Sequence, residues 1–201
     1  SPCTSRDFKS FQRSGRWTGC LERRLPGTRS EFADGCETNN ALETRCPVMA
    51  LAIIMVWYVG IGALAAVGSM YLSHRFVPAK HEATHYGLFF IAIATVYLAF
   101  SSYFGDAAVW SLETVAVLAF AVMGCVGARV PVVLIAGYAL HGGWDLLHEV
   151  QAHLHVDAFA GREATRIPLA YGAFCATFDW VIPVYFVYRR RHWVAAWQAR
   201  P

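Results

Sequence analysis

Histidine and aspartate side chains recur at helical spacing within the segment from His141 to Glu149. His141, Asp145 and His148 are spaced i, i+4 and i+7, so a helix would place them on one face. Imidazole nitrogens and carboxylate oxygens that converge in this way are typical ligands of zinc and iron. The same side chains would also suit a proton relay or a hydrogen-bonded structural network. Their residue types leave these three interpretations open.

A second constellation is residues 81–85, which read His-Glu-Ala-Thr-His and match the pattern HExxH. In zinc proteases with this pattern, the two histidines bind zinc one helical turn apart and the glutamate acts as base. His81 and His85 are therefore candidate zinc ligands, either alone or together with the cluster around His141. The alternative is that both histidines are polar residues at a membrane surface, since they lie at the start of an apolar stretch.

Composition limits what elements can position these residues. Of the 201 residues, 56% are hydrophobic and only 15% are charged, whereas a soluble domain has about 25% charged residues. Residues 1–48 contain 14 charged residues and the rest of the chain contains 17, so the larger part does not suit a soluble globular domain. The net charge is +3 and no basic face builds up, so no nucleic-acid partner is expected.

The chain is predicted to be all-α and polytopic, with five transmembrane helices. Each span needs about 20 apolar residues, and five stretches satisfy this: 49–72, 85–104, 107–128, 130–150 and 168–188. Together they make a membrane domain over residues 49–201.

Residues 1–48 show neither helical nor strand periodicity, so a disordered tail is predicted there. The first methionine is Met49, where the apolar sequence begins. We therefore expect residues 1–48 to be an upstream extension of a protein that starts at Met49, which mass spectrometry of the native N-terminus would test.

Basic residues predict the orientation of the spans in a cell membrane. Cytoplasmic loops carry an excess of lysine and arginine, and arginines follow the last span at positions 189, 190, 191 and 200. The C-terminus is therefore expected in the cytoplasm.

Depth along the helices indicates which polar residues can meet. At about 1.5 Å per residue, His141 lies about 16 Å from the cytoplasmic end and Asp179 about 14 Å. Asp145 and Glu113 both lie about 22 Å deep by the same count. We therefore expect His141, Asp145 and His148 to hold a metal, with Asp179 or Glu113 acting as base or orienting a ligand.

From His141 to Tyr188, the chain resembles an uncharacterised bacterial family of small multi-pass integral-membrane proteins. The family pattern is a His-x-x-x-Asp-x-x-His-His helix, followed by a last span with proline, small residues, cysteine and aspartate. His141, Asp145, His148 and Asp179 match it, but Glu149 stands where the family has its second histidine. The resemblance implies a multi-pass membrane protein and supplies no activity.

Two shorter resemblances suggest metals. The His-Gly-x-x-Asp fragment at His141 is similar to one in the membrane carotene-cleaving oxygenases, which use iron. Histidines and aspartates scattered over several helices also resemble the zinc-dependent membrane ceramidase-type hydrolases.

These observations lead to an expected function. We expect a membrane protein with an intramembrane His/Asp site, acting as a metal-dependent enzyme on a lipid-like small molecule. The sequence does not identify the metal, and zinc and iron are the two candidates. One alternative is a transporter or proton-coupled carrier that uses the same polar residues, and another is a structural or assembly subunit. The lipid bilayer is the expected partner in all three.

Overall fold

The computed structural model describes residues 31–104, 107–154 and 156–199, and every regular element in these ranges is helical. The elements, in chain order, are α1 (Glu31–Phe76), α2 (Ala79–Phe104), a 3₁₀-helix (Ala107–Val109), α3 (Trp110–Gly127), α4 (Pro131–His153) and α5 (Tyr171–Gln198). The prediction of an all-helical fold is confirmed for the described part of the chain.

The N-terminal region differs from the prediction. Helix α1 begins at Glu31, so residues 31–48 are helical where the sequence pattern indicated disorder. Extending an existing helix avoids the cost of nucleation, and the apolar stretch that follows supplies such a helix. The predicted tail at residues 1–30 lies outside the described residues, and the proposed start at Met49 stays a prediction. The chain divides into two compact units, Ser1–Ile53 and Ile54–Pro201, and the second contains all the sites discussed below.

Three helical segments are long and apolar enough to cross a membrane: Met49–Phe76, Ala79–Phe104 and Trp110–Gly127. They correspond to the first three predicted spans, although α2 begins at Ala79 and thus includes the HExxH-like segment. Helices α4 and α5 do not pass the same test of length and composition. They carry the buried acids and histidines, which lower their mean hydropathy, so a total of five spans stays a prediction.

The second unit has an apolar surface and buries several polar side chains within its apolar core. Each of its five helices exposes large apolar side chains, for example Leu64 (73% exposed), Leu88 (64%), Val115 (67%), Leu140 (60%) and Val184 (71%). Its buried polar side chains are Ser73, Glu82, Ser101, Glu113, His141, Asp145, His148, Glu149, Thr165 and Asp179. This distribution is the reverse of that in a soluble domain and suits a bundle surrounded by lipid.

Aromatic side chains fill the space between the buried polar groups. Phe90 packs on Tyr138 with ring centroids 4.7 Å apart, and Tyr86 packs edge-on against Phe186 at the same separation. Edge-on and tilted contacts of this kind stabilise beyond the area that they bury.

Glycines bring α4 and α5 into backbone contact. A Cβ atom added to Gly142 would lie 2.6 Å from Nε1 of Trp180, and one added to Gly172 would lie 2.5 Å from the carbonyl oxygen of Asp145. Small residues permit such close approach in membrane proteins. The close packing sets the distance between the helices that carry His141 and Asp179.

Candidate functional site

His141, Asp145 and Asp179 meet in the interior of the bundle, and we call them the central triad. His141 and Asp145 lie one turn apart on α4, and Asp179 projects from α5. Nδ1 of His141 lies 2.6 Å from Oδ2 of Asp179 and 3.2 Å from Oδ2 of Asp145. The depth estimate that placed His141 beside Asp179 is confirmed.

The triad has the geometry of a metal-binding group. One ligand atom from each residue lies within 4.8 Å of the other two, and among the described residues this is the one group of three that does so. All three side chains are at most 2% exposed. Ligands on tetrahedral zinc are separated by about 3.3 Å, which falls within the 4.8 Å limit that the three ligand atoms satisfy.

Tyr97 of α2 contacts the central triad, and it was not among the site residues predicted from the sequence. Its hydroxyl donates a hydrogen bond of 2.6 Å to Oδ1 of Asp145. A tyrosine in an apolar span is neutral, so the sequence does not distinguish it from a packing residue. The packing of α2 against α4 shows that it contacts Asp145. The bond fixes the orientation of the Asp145 carboxylate.

Polar atoms of the triad are left without hydrogen-bond partners. Among the described residues, Nε2 of His141, Oδ2 of Asp145 and Oδ1 of Asp179 are buried and make no hydrogen bond. Buried polar groups are ordinarily satisfied, and buried charges are paired or coordinate metals. A water, a metal ion or a polar ligand group would satisfy these atoms.

A cavity of about 750 Å³ opens beside the triad. Tyr97, His141, Asp145 and Asp179 line its polar end. Most of the remaining lining is apolar and comes from α1, α2 and α5, including Leu72, Phe89, Ile93, Phe174 and Phe178. Its size is within the range of small-molecule sites, so the triad faces a space that accepts a ligand.

His148 does not lie in the triad, contrary to the expected ligand set. Its Nε2 is 2.8 Å from Oε1 of Glu113 on α3, and its Nδ1 is 3.0 Å from the carbonyl oxygen of Trp144. A carbonyl oxygen only accepts hydrogen bonds, so Nδ1 of His148 carries a hydrogen. The contact between Nε2 and Glu113 then needs a second proton, either on Nε2 or on the Glu113 carboxylate. The Glu113–His148 pair therefore shares a proton in a buried setting.

The Glu113–His148 pair also anchors the segment that connects α4 to α5. The hydroxyl of Thr165 donates a bond of 2.7 Å to Oε1 of Glu113 and lies 2.8 Å from that of Ser101. Glu113, which was predicted to lie at the depth of Asp145, contacts His148 instead, because depth does not determine which face of α4 is turned to α3.

Glu149, the position that departs from the family pattern, caps α5. Its two carboxylate oxygens accept hydrogen bonds from the backbone N–H groups of Ala170 and Gly172, at 3.0 and 2.8 Å. Carboxylates are stabilising at a helix N-terminus, where N–H groups lack partners in the helix. Glu149 therefore has a structural contact that explains its burial without a metal.

The HExxH-like segment is arranged differently from a zinc protease site. Glu82 is buried, and one of its oxygens accepts bonds from Nη2 of Arg189 at 2.7 Å and Nε1 of Trp193 at 2.8 Å. Its other oxygen accepts bonds from Tyr185 and Ser73. His81 and His85 are exposed, and neither is part of the central triad. Glu82 thus joins α2 to the C-terminal part of α5, and a zinc site at the two histidines stays a prediction.

Comparison of the chain with protein-family models, with curated proteins and with solved structures found no match. The site is therefore interpreted from its own geometry.

Proposed function

We propose that this chain is a multi-pass integral protein of the cell membrane and that it acts as a metal-dependent enzyme on a lipid-like molecule. The observation that carries the proposal is the position of the central triad at the polar end of an apolar cavity. The resemblance of residues 141–188 to small multi-pass membrane proteins supports the membrane assignment and no activity.

Five membrane-spanning helices are supported by the outward faces of α4 and α5. Leu140 and Val132 of α4 are 60% and 58% exposed, as are Val184 and Val187 of α5 at 71% and 51%. The acids and histidines in the middle of these helices, His141, Asp145, His148, Glu149 and Asp179, are buried, whereas the exposed Arg190, Arg191 and His192 lie in the C-terminal part of α5. In a bilayer this arrangement keeps the acids away from lipid, where each would cost about 2.5–3.5 kcal/mol.

Charge balance supports a metal at the triad. Two buried carboxylates face one imidazole, and a protonated imidazole would neutralise only one of them. A divalent cation held by a neutral His141 together with Asp145 and Asp179 neutralises both. Three protein ligands leave a coordination position open, as in catalytic zinc sites.

The chemistry follows from the same residues. A zinc ion bound at the triad would lower the pKa of its bound water to about 7, which would supply a hydroxide for hydrolysis of an ester or amide. Oδ1 of Asp179 has no hydrogen-bond partner among the described residues, so it would be the carboxylate oxygen available to accept a proton in this mechanism. Tyr97 orients Asp145 as a positioning residue.

Metal content tests this proposal. Detergent-purified wild-type protein should contain about one zinc or iron per chain, measured by elemental mass spectrometry. His141→Ala should lose most of it, because even residues outside the ligand shell change metal affinity by about 10–100-fold. His192→Ala, an exposed histidine on α5, is the matched control and should retain the metal. A wild-type protein without metal would overturn the proposal.

A carrier is the second candidate, and the distribution of buried polar groups favours it. Glu82, the central triad and the Glu113–His148 pair form three separate polar clusters within the bundle. Protonatable residues at several levels are typical of proton pathways. Proton flux into vesicles that does not depend on metal would support the carrier. If the protein shows no flux and contains no metal, the structural subunit is the remaining interpretation.

The orientation has its own test. We expect a reporter fused after residue 200 to be cytoplasmic, and one inserted in residues 151–167 to be external, because Arg189, Arg190 and Arg191 in the C-terminal part of α5 favour the cytoplasmic side. Cysteine accessibility measured in intact cells would check both sites. The opposite pattern would invert the orientation proposed here.

A further inference from the structure

The cavity beside the triad is elongated along the helices. On α2 its lining extends from His85, near the turn after α1, to Tyr97 at the polar end. At about 1.5 Å per residue, these positions lie about 18 Å apart along the helix axis. The side chains between them on α2, Phe89 and Ile93, are apolar. Ser69, Ser73 and His85 also line the cavity away from the triad, but most of this lining is apolar. The space therefore suits a hydrocarbon chain that lies parallel to the helices.

The charges at the polar end of the cavity determine which headgroup can bind there. This argument depends on the metal in the proposed function. Asp145 and Asp179 together balance one divalent cation. An anionic headgroup would add a buried charge without a partner, which is strongly unfavourable. Arg189, the one cation on α5 near the bundle interior, is bound to Glu82 and does not line the cavity. A neutral headgroup that offers an oxygen to the metal satisfies these conditions.

We propose that the cavity binds a single-chain lipid with a neutral oxygen-containing headgroup. The headgroup lies at the triad and the hydrocarbon tail extends toward the turn between α1 and α2. The chemical class is that of long-chain alcohols and their esters.

Gly68 of α1 leaves space in the cavity for the tail. It is half-buried and lines the cavity, and a Cβ atom added to it meets nothing within 4 Å. A larger side chain at this position would therefore occupy cavity space rather than collide with a neighbouring helix. Gly60 lies on the same helix and also has nothing within 4 Å, but it is exposed and does not line the cavity. The two glycines form a matched pair for a test.

Photolabelling of the protein in phosphatidylcholine nanodiscs tests the inference. The probe is a hexadecanol analogue with a diazirine at the end of its chain, and the label should map to Leu72, Phe76 or Phe89. Gly68→Leu should reduce labelling about tenfold, which corresponds to about 1.4 kcal/mol of binding free energy. An octanol analogue should still label this variant, and Gly60→Leu should behave as wild type. A hexadecanoic acid analogue should label the wild-type protein weakly, because its carboxylate faces two others.

Three results would overturn the inference: unchanged hexadecanol labelling in Gly68→Leu, equal labelling by the acid, or label at the triad instead of the far end. Because leucine at position 68 could disturb folding, Ala65→Leu, which alters a second lining residue, repeats the measurement. Each variant is first required to retain its metal and to elute as a single species.

Metal content separates failure of this inference from failure of the proposed function. A Gly68→Leu variant that keeps its metal and its hexadecanol labelling overturns the tail-binding inference alone. A wild-type protein that contains no metal, but shows the expected chain-length selection, overturns the metal-dependent enzyme and the headgroup argument while the tail site stands.

Discussion

Replacing Asp145 with alanine should remove most of the bound metal while the protein still inserts into the membrane. The change deletes one of three ligands and leaves the hydroxyl of Tyr97 without its acceptor. We expect metal content to fall by more than about tenfold, since residues that only support ligands already change affinity about 10–100-fold. Insertion depends on the apolar spans, and removing a buried acid lowers the free-energy cost of inserting α4. Elemental analysis and membrane fractionation measure the two effects.

The same variant separates the candidate functions. For a metal enzyme, metal and activity fall together. For a proton carrier, vesicle flux is abolished while thermal stability stays close to that of the wild type. For a structural network, stability falls and there is no metal to lose. Asp157→Ala is the matched control, because Asp157 is an exposed aspartate in the segment after α4. Retention of full metal content by Asp145→Ala would exclude Asp145 as a ligand.

Replacing Glu82 with alanine should cause the largest loss of stability. Glu82 is fully buried and accepts bonds from Ser73, Tyr185, Arg189 and Trp193. Removing one partner of a fully buried ion pair costs about 3–5 kcal/mol, because the remaining charge is left uncompensated. Arg189 is 12% exposed, so we expect a cost near the lower end of this range. For a chain of this size we expect the melting temperature in detergent to fall by about 10 °C. Circular dichroism during heating measures the change.

Two comparisons make the Glu82 prediction specific. Glu163→Ala removes an exposed glutamate and should leave the melting temperature unchanged. A variant with both Glu82 and Arg189 replaced by leucine should be more stable than Glu82→Ala, because no buried charge is then unpaired. The metal content of folded Glu82→Ala should equal that of the wild type. Loss of metal without loss of stability would instead favour a zinc site at the HExxH-like segment.

The sequence predicted the elements of this protein better than it predicted their pairing. Apolar runs located the helices, and depth along them placed His141 beside Asp179 correctly. Depth did not identify the partner of Glu113, which is His148, because the rotation of α4 against its neighbours depends on packing. Tyr97 was missed for a different reason: a phenol in an apolar span becomes informative only when its partner is known. The helical character of residues 31–48 was missed because their polar composition showed no apolar stripe.

The glycine contacts between α4 and α5 bear on any attempt to transplant the site. Gly142 lies directly after His141, and the added Cβ of Gly172 would contact the carbonyl oxygen of Asp145. The distances between the three functional side chains are thus set by how closely the backbones of α4 and α5 approach. A designer who grafted only His141, Asp145 and Asp179 onto another helical hairpin would copy the ligands without their spacing. A transplanted site would therefore need both α4 and α5 together with Gly142 and Gly172.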